Sequence, residues 1–159
     1  MSVSGPTDAI KKSIVVRCDV DRAFRTWTEQ IHAWWPRGHS RSGDPSTTVC
    51  LERRVGGRLY ERTPNGTEYD WGRVIAWDPP RHFAYHWFLG SGPEQPTRVD
   101  VHFVAQEMGG TRVDVSHRGP EFIGETWARN SARYDAAWEV VLPAYAALCA
   151  NILEEETSE

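Results

Sequence analysis

The feature that most constrains the fold is a change of hydrophobic period along the chain. Short segments with a two-residue apolar period occupy the chain as far as His117. Beyond them the apolar positions step by three and four residues, which predicts one long amphipathic helix from about residue 128 to 152. These positions are Tyr134, Trp138, Val141, Tyr145, Leu148 and Ile152. A half-polar antiparallel sheet must cover its apolar face, so we expect it to curl around this helix.

Turn residues divide the first part of the chain into seven predicted strands. Asp19 is the expected N-cap of a helix that follows the first strand, and two short helices are predicted before Pro36. Glycine pairs at 56–57 and 109–110 and the proline pair at 79–80 indicate turns between strands. The predicted strands cover residues 10–18, 47–54, 58–63, 68–77, 82–88, 97–106 and 111–117.

The length and composition favour one folded domain with an unusual aromatic content. A chain of 159 residues and 18.1 kDa has the size of a single domain, which we predict to span residues 1–159 with its core at about 10–153. Eight tryptophans are more than packing alone needs, so we expect some of them to line a cavity.

Charge and cysteine usage exclude several classes of protein. The net charge is −4 with both signs interspersed, so there is no basic stripe for a nucleic acid. The three cysteines form no C-x-x-C pair, which favours free thiols in a reducing, cytoplasmic compartment. Residues 1–8 contain no apolar leader segment, and the longest apolar stretch is too short to span a membrane. We expect a cytoplasmic monomer or homodimer.

Strand parity predicts which side chains face the concave side of the sheet. If Val99, Val101 and Phe103 lie on that side, aromatic residues of three other strands share it, together with one guanidinium and one imidazole. The predicted ligand-binding residues are Trp35, Trp71, Arg73, Trp77, Tyr85, Trp87, His117, Tyr134 and Trp138. Such a lining suits a flat or acyl ligand with one polar end, oriented by Arg73 or His117.

Alternatives remain open at these positions. The same residues could form a packed core from which Arg73 escapes through a β-bulge near Gly72. Trp34 and Trp35 could form a lid over the cavity or a hydrophobic plug, since we expect that two adjacent indoles cannot both point into the core. His117 could act as a general base or be a structural histidine bonded to a backbone carbonyl.

Nothing in the pattern indicates a cofactor or a metal. His82 and His86 are four residues apart on one strand, about 13 Å at ~3.3 Å per residue, which is too far to share an ion. His102 has the same outward parity. Neither glycine pair opens a helix after a strand, as a phosphate-binding loop does. We therefore predict no cofactor.

Several motifs together resemble a known family. They are Trp34-Trp35-Pro36, Gly56-Gly57-Arg58, Gly72-Arg73-Val74, Trp77-Asp78-Pro79-Pro80-Arg81, Tyr85-His86-Trp87, Ser116-His117-Arg118-Gly119 and Trp138-Glu139-Val140-Val141-Leu142. In this order, from about residue 10 to 153, the chain resembles the bacterial activator-of-heat-shock-protein-90-ATPase-like domain of the START-like, or SRPBCC, superfamily. The resemblance implies an α+β helix-grip fold with a deep cavity between the sheet and the C-terminal helix.

Three hypotheses of function follow. The first, which we favour, is a protein that binds a hydrophobic small molecule in the cavity without chemistry. The second is a cyclase or dehydratase acting on a polyketide-like substrate, with His117, Glu68 or Asp70 moving protons. The third is a stress-response protein with a chaperone partner, which requires an exposed apolar patch. The resemblance covers relatives of all three kinds, so it implies the fold more firmly than the function.

Overall fold

The computed structural model describes residues 9–88, 97–107, 109–119 and 125–157, with side chains in the last segment described for 131–149. The strands are β1 (Ile10–Val16), β2 (Thr48–Leu51), β3 (Arg58–Arg62), β4 (Glu68–Asp78), β5 (His82–Trp87), β6 (Thr97–Ala105) and β7 (Thr111–Arg118). The helices are α1 (Val20–Glu29), α2 (Ile31–Trp34) and α3 (Glu125–Thr157).

The seven strands form one antiparallel sheet in the order β1-β7-β6-β5-β4-β3-β2. The first strand therefore pairs with the last, with Ile14 opposite Val113, and every other neighbour is joined by a sequential hairpin. The α+β helix-grip architecture is confirmed, with two short helices after the first strand and a long C-terminal helix. Each predicted strand is present, and its ends differ from the prediction by at most a few residues.

The N-terminal end of α1 is fixed by its predicted cap. The Asp19 carboxylate accepts the backbone N–H of Arg22 at 2.8 Å, which satisfies one of the free donors of the first turn. One face of α1 is buried, and its Phe24 and Trp27 rings pack edge-on against Phe103 at 5.2 and 6.2 Å. The helix pair thus covers one end of the concave face of the sheet.

The C-terminal helix uses its three-and-four spacing to fill the concave face. Of the predicted positions, Tyr134, Trp138, Val141 and Tyr145 are buried and Leu148 is half-buried next to the buried Cys149, while the side chain of Ile152 lies outside the described residues. The Tyr145 hydroxyl donates to the Ala23 carbonyl oxygen at 2.7 Å, which ties α3 to α1 at one end. No helix in the described part of the chain is long and apolar enough to cross a membrane.

Two irregularities in β4 correct the predicted position of Arg73. Val74 lies opposite Tyr85 and Ala76 opposite Ala84, so Ile75 is an extra residue relative to β5. Regular alternation counted from Trp77 would turn the Arg73 side chain inward. The extra residue between them turns it outward instead. Arg73 is exposed, and its guanidinium donates to the Gly56 carbonyl oxygen at 3.3 Å. The prediction that Arg73 faces the cavity is wrong.

A second irregularity returns Trp71 to the interior. Tyr60 lies opposite Asp70 and Leu59 opposite Gly72, so Trp71 is the extra residue relative to β3. Its side chain is fully buried. A bulge near Gly72 is therefore present, as the alternative expected, but it returns Trp71 to the interior, whereas the extra residue at Ile75 turns Arg73 outward.

Candidate functional site

A cavity of about 330 Å³ lies between the N-terminal half of α3, the end of β5 and the loop that follows α2. Its volume is within the range of small-molecule sites. The lining residues are Trp35, Gly38, His39, Ser40, Arg41, Trp87, His117, Arg133, Tyr134, Ala137, Trp138 and Val141. Aromatic rings form most of one side, and the loop over residues 38–41 forms the other.

The aromatic side of the cavity depends on the end of α2. The helix ends at Trp34, and Trp35 has an extended backbone with φ −61° and ψ 130°. This change of direction lets both indoles be buried, so the expectation that they could not both enter the core is wrong. Trp34 packs on Trp27, with 5.1 Å between the ring centres. Trp35 reaches the cavity, and its ring centre lies 6.0 Å from that of Trp87.

His117 forms a fully hydrogen-bonded connection beneath these rings. The indole N–H of Trp138 donates to His117 Nδ1 at 3.1 Å, and His117 Nε2 lies 2.8 Å from the Thr97 hydroxyl. Because Nδ1 accepts, the proton belongs on Nε2, which donates to Thr97. The Thr97 hydroxyl in turn donates to the Trp87 carbonyl oxygen at 3.2 Å. The side chain thus reaches a backbone carbonyl through one intervening hydroxyl.

The protonation state of His117 follows from this environment. Its side chain is 1% exposed, and burial lowers the pKa of the imidazole to about 3. With both nitrogens engaged and a strongly depressed pKa, His117 is a weak base near neutral pH. The geometry supports a structural role for His117 in holding Trp138 and Trp87.

Glu61, on β3, is a buried acid that the sequence prediction missed. Its Oε1 accepts the backbone N–H groups of Arg41 at 2.6 Å and Ser42 at 3.3 Å, and the indole N–H of Trp71 at 2.8 Å. Its Oε2 accepts the hydroxyls of Ser42 at 2.6 Å and Thr47 at 2.9 Å. The three hydrogen bonds from Arg41 and Ser42 tie the loop that forms the second cavity wall to the sheet.

Two opposed effects set the pKa of Glu61. Burial by itself raises the pKa of this carboxyl, but hydrogen bonds from Ser42, Trp71, Thr47 and the Arg41 backbone outweigh it and lower the pKa below its ordinary value. Glu61 is therefore an ionised anchor. In the sequence, this site is indicated by an acidic residue two positions after the buried Leu59, since the two side chains then face the same side of the strand.

The loop side of the cavity carries its polar groups. His39 and Arg41 come from the loop, and Arg133 comes from α3. The Nδ1 atom of His39 is buried and has no hydrogen-bond partner among the residues that the structure describes. The Trp35 indole N–H donates to the His39 carbonyl oxygen at 2.7 Å, which fixes the loop backbone at this point. Sequence periodicity gave no signal for this segment because it belongs to no helix or strand.

The structure brings five of the nine predicted site residues to the cavity wall, and they are Trp35, Trp87, His117, Tyr134 and Trp138. Trp71 and Tyr85 are buried in the core behind that wall. Trp77 lies at the other end of the sheet, where it packs on Phe24 at 5.2 Å and lines a separate, more polar groove.

Glu68 and Asp70 do not enter the cavity, so their suggested role in proton transfer is wrong. Both bind the guanidinium of Arg58 on the surface, at 3.0 and 2.9 Å. The described large apolar side chains that are exposed are four valines, and they lie on β1, the turn before β3, β6 and α3. No group of three or more His, Cys, Asp or Glu residues within the described ranges is arranged to hold a metal ion.

Comparisons with known proteins agree with this architecture. The model of the family described as activator of Hsp90 ATPase homolog 1-like protein matches residues 17–145. No match was found among curated proteins.

Solved structures share the fold over most of their length. CalC from Micromonospora echinospora, described as a self-sacrificing resistance protein, has a TM-score of 0.67 at 24% identity, over 92% of this chain and 97% of its own. Txn09, described as an anthrahydroquino-γ-pyrone synthase, has a TM-score of 0.60 at 28% identity, over 88% and 96%. Protein MLL2253 from Mesorhizobium loti has a TM-score of 0.67 at 16% identity, over 90% and 97%. With the family model matching most of its length, the chain belongs to the activator of Hsp90 ATPase homolog 1-like family, within the SRPBCC helix-grip superfamily.

Proposed function

We propose that this protein binds a hydrophobic, ring-containing small molecule in the cavity between the sheet and α3. The observation that carries the proposal is the aromatic wall of Trp35, Trp87, Tyr134 and Trp138 around a space of about 330 Å³. Indole and phenol rings offer large, flat contact areas and prefer stacked or edge-on partners. A planar ligand can make such contacts with several of these rings at once.

Hydrogen bonds within the protein hold two side chains of the wall in place, which favours binding. Trp138 is held by His117, and Trp35 is held by the loop carbonyl of His39. Side chains that are fixed before binding lose little conformational freedom when the ligand enters. The cavity therefore has the properties of a preformed site.

Two measurements test the proposal directly. Native mass spectrometry of the freshly purified protein should show an additional bound mass. Titration with a panel of hydrophobic acids and neutral aromatic compounds should quench the tryptophan fluorescence saturably for at least one class. Absence of both a bound mass and saturable quenching would contradict the proposal.

A matched pair of variants locates the site. Trp87 lines the cavity, whereas Trp77 lies on the neighbouring strand at the other end of the sheet. We expect Trp87→Ala to weaken binding of a ligand found in the panel by about tenfold or more, and Trp77→Ala to change it by less than about twofold. Thermal unfolding of both variants monitors their stability. Equal affinities in the two variants would place the ligand elsewhere.

A cyclase-type reaction in the same cavity is the second candidate. The 28% identity to Txn09, described as a γ-pyrone synthase, favours it. Since both ring nitrogens of His117 are hydrogen-bonded within the protein, we assign the proton transfer of this candidate reaction to His39, the other imidazole on the cavity wall. The test substrate is a linear aromatic triketone, which closes to a pyrone with loss of one water. Faster closure than in buffer, slowed by His39→Gln, would support catalysis, and closure no faster than in buffer would contradict it.

A further inference from the structure

The charged side chains of the cavity wall all have one sign. Arg41 and Arg133 line it, and no Asp or Glu does among the residues that the structure describes. This contrasts with the chain as a whole, which has a net charge of −4. A cavity that combines aromatic rings with guanidinium groups can attract an anionic group through charge-assisted hydrogen bonds.

His39 adds a second observation at the same wall. Its Nδ1 atom is buried without a hydrogen-bond partner among the described residues, although buried polar atoms are generally hydrogen-bonded. The atom belongs to a residue that lines the cavity two positions before Arg41. With its proton on Nδ1 and its ring turned toward the cavity, this imidazole can donate to an oxygen of a bound ligand that also contacts the guanidinium.

The backbone beneath these two side chains is fixed by buried bonds. Glu61 holds the Arg41 N–H at 2.6 Å, and the Trp35 indole holds the His39 carbonyl oxygen at 2.7 Å. Glu61 itself does not line the cavity, and both of its oxygens are occupied by five hydrogen bonds. Its negative charge is thus dispersed into the loop, and the charged residues on the described cavity wall are Arg133 and Arg41, whose guanidinium lies 5.7 Å from the centre of the Tyr69 ring.

We propose that the cavity selects ring-containing ligands that carry an anionic group, a carboxylate, a sulfonate or an ionised phenol, and that His39 and Arg41 receive this group at the loop side. The inference rests on the proposed function, because it specifies the chemistry of a ligand bound in that cavity. The ring system lies against the tryptophans, and the anion lies toward the loop. A neutral ligand with the same rings loses the second set of contacts.

Two fluorescent probes with one ring skeleton test the selection. Anilinonaphthalene sulfonate is anionic, and N-phenylnaphthylamine is the same skeleton without the sulfonate. We expect both to bind the wild-type protein saturably. Arg41→Gln should lower the affinity for the sulfonate by about tenfold and change the affinity for the neutral probe by less than about twofold. Raising the ionic strength from about 0.05 to about 0.5 M should lower the affinity for the sulfonate and leave that for the neutral probe unchanged.

Arg37→Gln is the matched control, because Arg37 lies in the same loop and binds the Pro45 carbonyl oxygen outside the cavity. It removes the same charge and should leave both affinities unchanged. If both probes bind and Arg41→Gln affects them equally or not at all, the anion selection is wrong while cavity binding stands. If neither probe binds saturably, the proposed function fails together with the inference.

Discussion

The indole N–H of Trp71 donates to the carboxylate of Glu61 at 2.8 Å, between two side chains that are both fully buried. Trp71 is the extra residue in β4 relative to β3, so the irregularity of the strand places its indole at this carboxylate. Glu61 uses its other bonds to hold the loop that carries His39 and Arg41. The sheet irregularity and the cavity wall are therefore parts of one hydrogen-bonded unit.

Replacing Glu61 should loosen that wall. In Glu61→Leu, the donors of Trp71, Arg41 and Thr47 lose their acceptor, and each buried donor left unpaired costs about 1–3 kcal/mol. We expect the free energy of unfolding in urea to fall by at least about 3 kcal/mol. Amide hydrogen exchange should become faster at Arg41 and Ser42.

Glu61→Gln is the matched control for this change. The amide oxygen can still accept from Trp71 and the backbone, and the hydroxyls of Ser42 and Thr47 can turn to accept from the amide nitrogen. Its loss of stability should be clearly smaller than that of Glu61→Leu. Equal losses, with unchanged exchange at Arg41, would mean that Glu61 does not anchor the loop.

Filling the cavity should block binding without unfolding the protein. Ala137 is a half-buried residue of α3 that lines the cavity, and the added ring of Ala137→Phe would occupy ligand space. We expect the affinity for anilinonaphthalene sulfonate to fall by more than about tenfold, with stability within about 1 kcal/mol of the wild type. The neighbouring Ala136 is exposed, so Ala136→Phe serves as the control. Unchanged binding in Ala137→Phe would argue for another site.

The depressed pKa of His117 predicts a dependence of stability on pH. Burial lowers the pKa from 6.5 to about 3, so between these values the unfolded chain binds a proton at His117 that the native state does not. This contribution to stability is complete above pH 6.5 and is lost as the pH falls toward 3, by about 1.4 kcal/mol per pH unit.

His117→Gln isolates that contribution. The amide can accept from Trp138 and donate to Thr97, but it does not titrate. Urea unfolding between pH 6.5 and 4.5 should show a slope smaller than in the wild type by up to about one proton, and Glu61 contributes equally to both proteins. Identical slopes in the two proteins would show that His117 binds its proton equally in the folded and the unfolded chain, which would contradict the lowered pKa.

Gly72 should resist even the smallest side chain. A Cβ atom there would overlap the His86 carbonyl oxygen on the neighbouring strand. Gly72→Ala must therefore push β4 and β5 apart, and we expect a loss of about 1–3 kcal/mol or more in urea unfolding. Gly38→Ala is the comparison variant. Gly38 has a φ of +87° and open space around it, so a side chain there costs backbone strain but meets no neighbouring atom. A Gly72→Ala protein as stable as the wild type would contradict the close strand contact.

Local chemistry made much of the fold predictable from the sequence. Asp19 was identified as a cap because its short carboxylate suits a free helix N–H, and it does accept one from Arg22. Turn residues separated the strands, and alternation placed Val99 and Val101 inside. These signals depend on neighbours within a few residues, so they can be read without knowing the rest of the chain.

The position and lining of the cavity depend on contacts between distant parts of the chain, which such local signals do not contain. The sequence determined a sheet around an aromatic-rich helix, and it identified Trp87, His117 and Trp138 because regular alternation and helical spacing hold there. It could not show that one extra residue at Ile75 turns Arg73 outward, because a bulge depends on how two strands pair. Nor could it show that Glu61, twenty residues from Arg41, fixes the loop over the cavity. Only the tertiary structure decided these points, because long-range pairing brings the two partners of each contact together.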